Sequence, residues 1–261
     1  MILVADAGNT DMVFGLHNGS KWIHTWRIPS SENRSKQAWH YRIVSELLEW
    51  DVKPHQIERT VMSSVVPDLT QPLAETLSSL NNRSCIVVNP KIYPQLKVKT
   101  RNPSETGTDL IANAVAAYER FQGKCLIVDF GTALTFTTIA DDGWIIGVAI
   151  APGLKTAIRS LFSNTAQLPE VPLKVPDSAL GKNTIHAIQA GVALGYTGMV
   201  DFLIKQIKSE VGQDCKVVAT GGLVSVLSSL HPHFDQIDQN LTLEGLLVIG
   251  EQVASASGMG G

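Results

Sequence analysis

Short apolar runs separated by polar bends dominate the first thirty residues of the chain. These runs predict strands at 2–5, 12–17 and 21–28. Gly8 and the pair Asn18-Gly19 stand at the intervening bends, and both residue types are typical of tight turns. The pattern therefore predicts three consecutive antiparallel strands.

The rest of the first half alternates between helical and strand-like patterns. Ile43, Leu47 and Leu48 are spaced so that they share one face of a helix predicted for 36–50. Further elements follow in the order strand, helix, strand and helix, at 59–66, 69–80, 85–88 and 111–121.

The same order of elements returns in the second half of the chain. It predicts three strands, a helix, a proline-rich loop, a long helix, a strand and two final helices, at 126–129, 134–140, 144–151, 153–162, 168–177, 184–211, 216–219, 223–230 and 243–255. Three antiparallel strands followed by alternating helices and strands, twice over, predict an α/β fold of two ribonuclease H-like domains. We place these domains at 1–117 and 118–261.

An acidic residue and a glycine bend end the first strand of each half. Asp6-Ala7-Gly8-Asn9-Thr10 closes one strand, and Asp129-Phe130-Gly131-Thr132-Ala133 closes the other. The interval between Asp6 and Asp129 recurs between Gly8 and Gly131 and between Leu16 and Ile139, which indicates a duplicated hairpin. One such turn could be a simple β-turn closure, but two matching copies favour a functional site and a cleft between the halves.

Glycine bends of this kind suit phosphate, because the main chain can approach an anion closely without a Cβ. The neighbouring carboxylate repels phosphate, but it can hold a cation that bridges to phosphate oxygens. The two turns therefore predict a phosphate site that uses metal ions.

Composition narrows the class of protein. The chain has 261 residues, 44% of them hydrophobic and 17% charged, and a formal net charge of −3, which gives no basic excess for nucleic acid. Three cysteines without C-x-x-C spacing favour reduced thiols over disulfides or zinc. With no signal-like N-terminus and no long apolar run evident in the sequence, we expect a cytoplasmic protein without a membrane partner.

Ordered motifs along most of the chain resemble one family, type III pantothenate kinase, within the superfamily of actin, sugar kinases and acetate kinase. The motifs are Asp6-x-Gly-Asn-Thr10, Ser63-Ser64-Val65-Val66-Pro67, Asn102-Pro103, Gly107-x-Asp109, Ile111-Ala112-Asn113-Ala114, Asp129-x-Gly-Thr-Ala133, Ala151-Pro152-Gly153-Leu154, Asn164-Thr165-Ala166-x-Leu168-Pro169, Gly181-x-x-Thr184, Gln189-x-Gly191 and Thr220-Gly221-Gly222. The resemblance implies an actin-like ATPase fold that phosphorylates pantothenate to 4′-phosphopantothenate with ATP, the first step of coenzyme A synthesis. It also implies Mg²⁺, a monovalent cation (K⁺ or NH₄⁺) and a homodimer.

The resemblance also assigns roles to residues. Asp109 matches the general base, and Asp129 matches the ligand of the monovalent cation. The ATP-binding positions are Asp6, Ala7, Gly8, Asn9, Thr10, Asp11, Met12, Val13, Thr132, Gly221 and Gly222. The pantothenate-binding positions are Gly107, Thr108, Asp109, Leu110 and, across a dimer interface, Thr184. Asp109 and Thr184 could instead be helix N-caps, since each precedes a helical run.

Two positions depart from the family pattern, both on the acceptor side. Leu110 replaces an arginine that would pair with the carboxylate of the substrate, and Thr100 replaces a tyrosine. Three hypotheses follow: a pantothenate kinase in which Arg101, Lys99 or the partner subunit holds the carboxylate, a kinase of the same mechanism for another small alcohol, and a non-catalytic nucleotide-binding regulator. We favour the first, and retention of Asp6, Asp109 and Asp129 argues against the third, because a protein that only binds nucleotide needs no base.

Overall fold

The computed structural model describes residues 1–31, 35–163 and 171–256. The motif at 164–169 and the start of the predicted loop at 168–177 lie outside the described residues. The described part of the chain divides into two compact units, one of 1–119 together with the C-terminal helix and one of 120–240.

The first unit follows the predicted order of elements closely. Its strands are β1 (Ile2–Ala7), β2 (Asp11–His17), β3 (Trp22–Pro29), β4 (Arg59–Ser64) and β5 (Ile86–Val87), and its helices are α1 (Lys36–Glu49), α2 (Pro67–Ser79) and α3 (Thr108–Phe121). Short 3₁₀ turns cover Pro54–Gln56 and Tyr93–Gln95. Ser35 caps α1 by accepting a hydrogen bond from the Ala38 N–H, and α1 and α2 pack with the sheet into a core that includes Phe14, Ile43 and Leu73.

The second unit contains a matching set of elements. Its strands are β6 (Cys125–Phe130), β7 (Ala133–Ile139), β8 (Ile145–Pro152), β9 (Lys216–Thr220) and β10 (Gln236–Ile237), and its helices are α4 (Leu154–Ser163), α5 (Thr184–Gln189) and α6 (Gly195–Val211). Helix α7 (Leu241–Ala256) ends the described chain. A separate core includes Val128, Phe136 and Val217.

Sheet topology confirms the predicted duplication. The strand order is β3-β2-β1-β4-β5 in the first sheet and, read from the equivalent edge, β8-β7-β6-β9-β10 in the second. In each sheet the first three strands are antiparallel and the last two join in parallel. This order places the carboxyl ends of β1 and β4, and likewise of β6 and β9, side by side at one edge of each sheet.

The repeat is not as regular as one constant interval. Ala7 pairs with Met12 across four turn residues, 8–11, whereas Phe130 pairs with Leu134 across three, 131–133. The structural equivalent of Leu16 is therefore Thr138 and not Ile139, which corrects that part of the sequence alignment. Register shifts occur at the equivalent points, Leu16/His17 and Thr138/Ile139, so the two hairpins share this irregularity as well.

The C-terminal helix corrects the predicted domain assignment. The sequence-based division at 117/118 lies two residues from the structural one, but α7 belongs to the first unit and not to the second. It packs against β1 and β4. Gly245 permits this position, because a Cβ there would overlap the Ala112 carbonyl of α3, and Trp22 Nε1 donates to Glu244 Oε1 at 2.7 Å.

Two predicted helices differ from the observed ones. The run 184–211 is interrupted by a π-helical segment, Ala190–Leu194, between α5 and α6. The predicted helix at 223–230 is a series of 3₁₀ turns over Val224–His233, with a non-helical Leu227 and with Pro232, which lacks an N–H to donate.

The run Thr184–Val211 is long and apolar enough, by length and composition alone, to cross a membrane, and 33% of its most apolar window is buried. A core helix of a soluble protein passes the same test, so one such helix is weak evidence for a membrane span.

Candidate active site

The Asp6 turn is held in one conformation by hydrogen bonds within the first unit. The Gly8 N–H donates to the Asp11 carbonyl at 3.0 Å, and the buried Ser30 binds both sides of the bend. Its hydroxyl donates to the Gly8 carbonyl at 2.6 Å, and its N–H donates to the Thr10 carbonyl at 2.9 Å. These hydrogen bonds within the protein hold the turn, and the sequence did not reveal Ser30 because it lies in the next bend.

Residues 6–13, predicted to bind ATP, differ in what they can offer a ligand. Asn9 and Thr10 are exposed at the tip of the turn, and Asp6 and Asp11 are half-buried. The side chains of Ala7 and Met12 are fully buried in the core. These two positions can therefore contribute only main-chain atoms to a ligand.

The carboxylate of Asp6 meets a serine from the adjacent parallel strand. Asp6 and Ser63 are register partners in β1 and β4, and the Ser63 hydroxyl donates to Asp6 Oδ1 at 2.5 Å. Ser63 is fully buried. The motif Ser63-Ser64 was visible in the sequence, but its contact with Asp6 depends on strand pairing.

Asp109 lies in the first turn of α3, directly after the tightly packed loop that ends at Gly107. Its Oδ1 accepts a hydrogen bond from the Leu110 N–H at 2.8 Å. A Cβ on Gly107 would overlap that same oxygen, so glycine leaves room for the carboxylate. The first helical hydrogen bond runs from the Ile111 N–H to the Gly107 carbonyl, so Asp109 does not cap the helix; it lies inside it.

Burial raises the pKa of Asp109, and hydrogen bonds from the Leu110 and Asp109 N–H groups only partly oppose this shift. Nearby, burial together with the charge of Asp109 raises the pKa of Tyr93 to about 12. A buried carboxylate with a raised pKa is a stronger base than an exposed one, which is the property that a proton acceptor needs. Tyr93 escaped the sequence analysis, since it lies 16 positions before Asp109.

The other residues predicted to bind pantothenate differ in their contacts and in their exposure. The Thr108 hydroxyl donates to the Ser64 carbonyl and accepts from the Ser64 N–H, at 3.0 and 3.2 Å, so it holds the loop. Leu110 is buried, with 9% of its surface exposed. Thr184 is exposed at the start of α5, and the N-cap is Asn183, which excludes the capping explanation for Thr184.

In the second unit, Asp129 and Gly221 meet at the sheet edge. Asp129 pairs in register with Thr220, and Gly221 follows with a positive φ of 95°. A Cβ at Gly221 would lie 2.7 Å from Asp129 Oδ1 and 2.7 Å from main-chain atoms of Phe130. The main chain at Gly221 therefore lies against the carboxylate, an approach that a residue with a Cβ could not make without a steric clash.

The Thr132 turn is fixed from the other side by the loop after β8. The Gly153 N–H and the Thr156 hydroxyl both donate to the Thr132 carbonyl, at 3.0 and 2.7 Å. A Cβ on Gly153 would overlap the Gly131 and Thr132 carbonyls. The exposed Thr132 side chain is thus presented from a rigid turn, and Thr156 is a supporting residue that the sequence analysis did not identify.

The oxygen donors at the turns suit Mg²⁺. Among the described residues, no three His, Cys, Asp or Glu side chains gather into a metal site. Mg²⁺ in phosphoryl-transfer enzymes usually takes one or two carboxylates and completes its octahedron with water and substrate phosphate. The first turn offers two carboxylates, Asp6 and Asp11, which is within the donor set expected for such an ion.

Structures of other proteins share this architecture along nearly their whole length. A conserved protein assigned to the Baf family of transcriptional activators from Campylobacter jejuni matches with a TM-score of 0.57 and 18% identity, covering 97% of this chain and 99% of that one. An activator of 2-hydroxyisocaproyl-CoA dehydratase from Clostridium difficile, with bound ADPNP, matches with a TM-score of 0.60, 13% identity, and 99% and 97% coverage. MreB 5 of Spiroplasma citri, bound to AMPPNP, matches with a TM-score of 0.54, 9% identity, and 99% and 98% coverage.

At these identities the matches show the fold alone, which is the actin-like ATPase fold. The family is shown by sequence: the model for type III pantothenate kinase matches residues 2–206 of the 261. That span contains the Asp6 turn, the Asp109 loop, Asp129 and Thr132. The chain belongs to the type III pantothenate kinase family.

Proposed function

We propose that Asp109 is the base with which this kinase accepts the proton of the primary hydroxyl of pantothenate, as the γ-phosphoryl group of ATP is transferred to that oxygen. The observation that supports this role is the position of the carboxylate. It is half-buried, accepts a hydrogen bond from the first turn of its own helix, and follows Thr108, which is bonded to the end of β4 beside the strand that carries Asp6.

Phosphoryl transfer requires no covalent bond between the protein and the substrate. The transition state of phosphoryl transfer is loose, so catalysis depends mainly on alignment and on stabilising negative charge. In our proposal the Asp6 turn, with Asn9 and Thr10 at its tip, binds phosphate. Thr132 and the main chain at Gly221-Gly222 bind the rest of the nucleotide. These bends are held by hydrogen bonds within the protein, or in the case of Gly221 by close packing, so little reorganisation would be needed.

Asp6 is the residue that we propose for Mg²⁺, either directly or through a water molecule. When bound, Mg²⁺ would bridge phosphate oxygens and neutralise charge. Asp129 is the residue that we propose for the monovalent cation, K⁺ or NH₄⁺. Support comes from its half-buried carboxylate, which lies at the end of β6 against the Gly221 bend and offers the kind of oxygen ligand that such ions take.

The acceptor carboxylate needs a partner other than residue 110, because Leu110 has no charge to offer. Thr100 is also unsuited, since its hydroxyl pairs with that of Thr106 at 2.8 Å. Arg101 is exposed at the start of the same loop. We propose that Arg101, with Lys99 as the second candidate, meets the carboxylate of pantothenate, at an energy of about 1.5–3 kcal/mol for a charged hydrogen bond.

We also propose a homodimer, in which Thr184 reaches the acceptor of the partner. Support comes from apolar side chains on the second unit that the chain itself leaves exposed. Ile146, Val148 and Ile150 alternate along one face of the edge strand β8, with 49%, 40% and 68% of their surfaces exposed. Phe162 and Phe202 are also exposed, at 45% and 60%. An apolar surface of this kind is typical of protein interfaces.

A cytoplasmic location without nucleic acid or membrane partners is also part of the proposal.

A coupled assay of ADP release with a panel of primary alcohols tests the function. Turnover with pantothenate supports our proposal. Turnover with another alcohol alone would favour a different acceptor, the alternative that Leu110 and Thr100 raise. No turnover with any acceptor, together with tight ATP binding, would favour the non-catalytic regulator.

A further inference from the structure

The last two residues of β4 contact two different parts of the candidate active site: Ser63 contacts the Asp6 carboxylate, and Ser64 contacts the residue before Asp109. Ser63 donates its hydroxyl proton to Asp6 Oδ1 at 2.5 Å. The main chain of Ser64 forms two hydrogen bonds with the hydroxyl of Thr108, the residue directly before Asp109. One strand end therefore contacts both the phosphate-side acid and the loop of the base.

The hydrogen bonds at Ser63 and Thr108 use the full donor capacity of each hydroxyl. A hydroxyl has one proton to donate. Ser63 is completely buried and gives its proton to Asp6. Thr108 gives its proton to the Ser64 carbonyl while accepting from the Ser64 N–H, so its orientation is determined at both ends.

Neighbouring contacts make the strand end itself rigid. The Ser64 hydroxyl donates to the Val66 carbonyl and accepts from the Val66 N–H, at 3.0 and 3.2 Å. Thr70, in the first turn of α2, donates to the Ser64 hydroxyl at 2.9 Å. Ser64 is therefore anchored to α2 as well as to Thr108, and the segment cannot easily move one carboxylate without the other.

We propose that Ser63 and Thr108 are positioning residues, which use the end of β4 to set Asp6 and Asp109 at a constant separation. Ser63 orients Asp6 for the cation at the phosphates, and Thr108 holds the Asp109 loop for the acceptor hydroxyl. This proposal rests on the roles proposed above for the two aspartates. In this proposal Ser63 acts through Asp6, and Thr108, predicted from the sequence to bind pantothenate, acts instead through the Asp109 loop.

The two halves of the proposal predict separable defects. Ser63→Ala should weaken the Mg²⁺ dependence of ADP binding by about 10- to 100-fold, the usual effect of losing a group that orients a metal ligand. Binding of ADP without Mg²⁺ should not change. Thr108→Val should lower kcat by a similar factor, since a small misplacement of the base is costly, and should leave Mg·ADP binding unchanged. Thr108→Ser should restore kcat.

Calorimetry of ADP binding with and without Mg²⁺, together with steady-state kinetics, tests these effects. Thr70→Val is the matched control, because it removes a hydroxyl from the same hydrogen-bonded segment without touching Asp6 or the Asp109 loop. Ser64 keeps its hydrogen bonds to Val66 and Thr108 in this variant, so Thr70→Val should behave as the unsubstituted protein does in both assays. Ser63→Cys, which keeps the size but donates weakly, replaces Ser63→Ala if that variant does not fold.

The proposal is overturned if Ser63→Ala binds ADP with unchanged Mg²⁺ dependence. It is equally overturned if Thr108→Val loses only thermal stability, or if Thr70→Val reproduces either defect. Should the unsubstituted protein fail to phosphorylate pantothenate, the proposed function fails, but calorimetry still decides the role of Ser63.

Discussion

Gly221 lies so close to Asp129 that a Cβ on the glycine would be 2.7 Å from Oδ1 of the aspartate. Its φ of 95° is also one that residues with a side chain rarely adopt. Gly222, the next residue, has no atom within 4 Å of the equivalent position. The structure therefore requires glycine at position 221 but leaves room for a side chain at position 222, although the two residues belong to one sequence motif.

This difference predicts unequal effects of alanine at the two positions. Gly221→Ala should destabilise the protein by about 1–3 kcal/mol through backbone strain, and crowding of Asp129 should weaken ADP binding about tenfold or more. Gly222→Ala is the control and should cost little stability. Urea unfolding and calorimetry measure both effects. Equal effects of the two substitutions would contradict the assignment.

The role proposed for Asp129 predicts dependence on a monovalent cation. Activity should be high in K⁺ or NH₄⁺ and low in buffer that contains Na⁺ alone. Asp129→Asn, which removes the charge but keeps the shape, should abolish most of the response to K⁺. Rates measured across a K⁺ titration at constant ionic strength provide the test, and equal rates in Na⁺ would refute the role of Asp129.

Removal of the charge at Asp109 should separate catalysis from nucleotide binding. Asp109→Asn should lower turnover by about 10² to 10⁴-fold, since the proton acceptor is lost, while ATP affinity stays nearly unchanged. Kinetics with pantothenate and calorimetry with ATP measure the two quantities. An unchanged turnover would show that Asp109 is structural.

The same variant should be more stable than the unsubstituted protein at neutral pH. Burial raises the pKa of Asp109 in the folded state above its value in the unfolded state, so ionisation opposes folding. This penalty is absent below the unfolded pKa of about 3.9, grows as the pH rises through the folded pKa, and is complete above it. The gain in Tm of Asp109→Asn should therefore be largest near pH 7 and shrink towards pH 4. A gain independent of pH would contradict this explanation.

Arg101 should matter only for acceptors that carry a carboxylate. Arg101→Ala should raise KM for pantothenate by about 10-fold or more, as loss of a charged hydrogen bond predicts, with kcat nearly unchanged. KM for the uncharged analogue pantothenol should not change. Lys91→Ala, an exposed cation elsewhere in the first unit, serves as the control. Equal effects on both acceptors would exclude Arg101 as the partner of the carboxylate, and Lys99→Ala would then be tested in the same way.

The exposed face of β8 predicts a dimer that a single charge should disrupt. Ile150→Lys should convert a dimer to a monomer in light scattering and raise KM for pantothenate, because Thr184 would no longer reach the partner. Leu48→Lys makes the same chemical change at another exposed apolar residue, in the first unit, and should leave the dimer intact. A monomer before any substitution would contradict the proposed assembly.

Local pattern was sufficient for much of this protein. Alternating apolar residues and glycine bends identified the three antiparallel strands of each half, and the recurrence of Asp6 and Asp129 at equivalent bends revealed the duplication, which the sheet order confirms. These features depend on neighbours within a few residues, which is why they can be read directly from the sequence. The raised pKa of Asp109 could not be read in this way, because burial of a carboxylate is a property of packing.

Tertiary structure decided the contacts between segments that are distant in sequence. The hydrogen bond from Ser63 to Asp6 spans 57 positions, and Gly153 approaches Thr132 from another loop. Helix α7 is apolar around most of its circumference, so its pattern predicts burial without indicating a sheet. The close approach of Gly245 to Ala112 and the hydrogen bond from Trp22 to Glu244 show why it belongs to the first unit. Sequence periodicity specifies which face of an element is apolar, whereas strand register and shape complementarity determine which partner covers it.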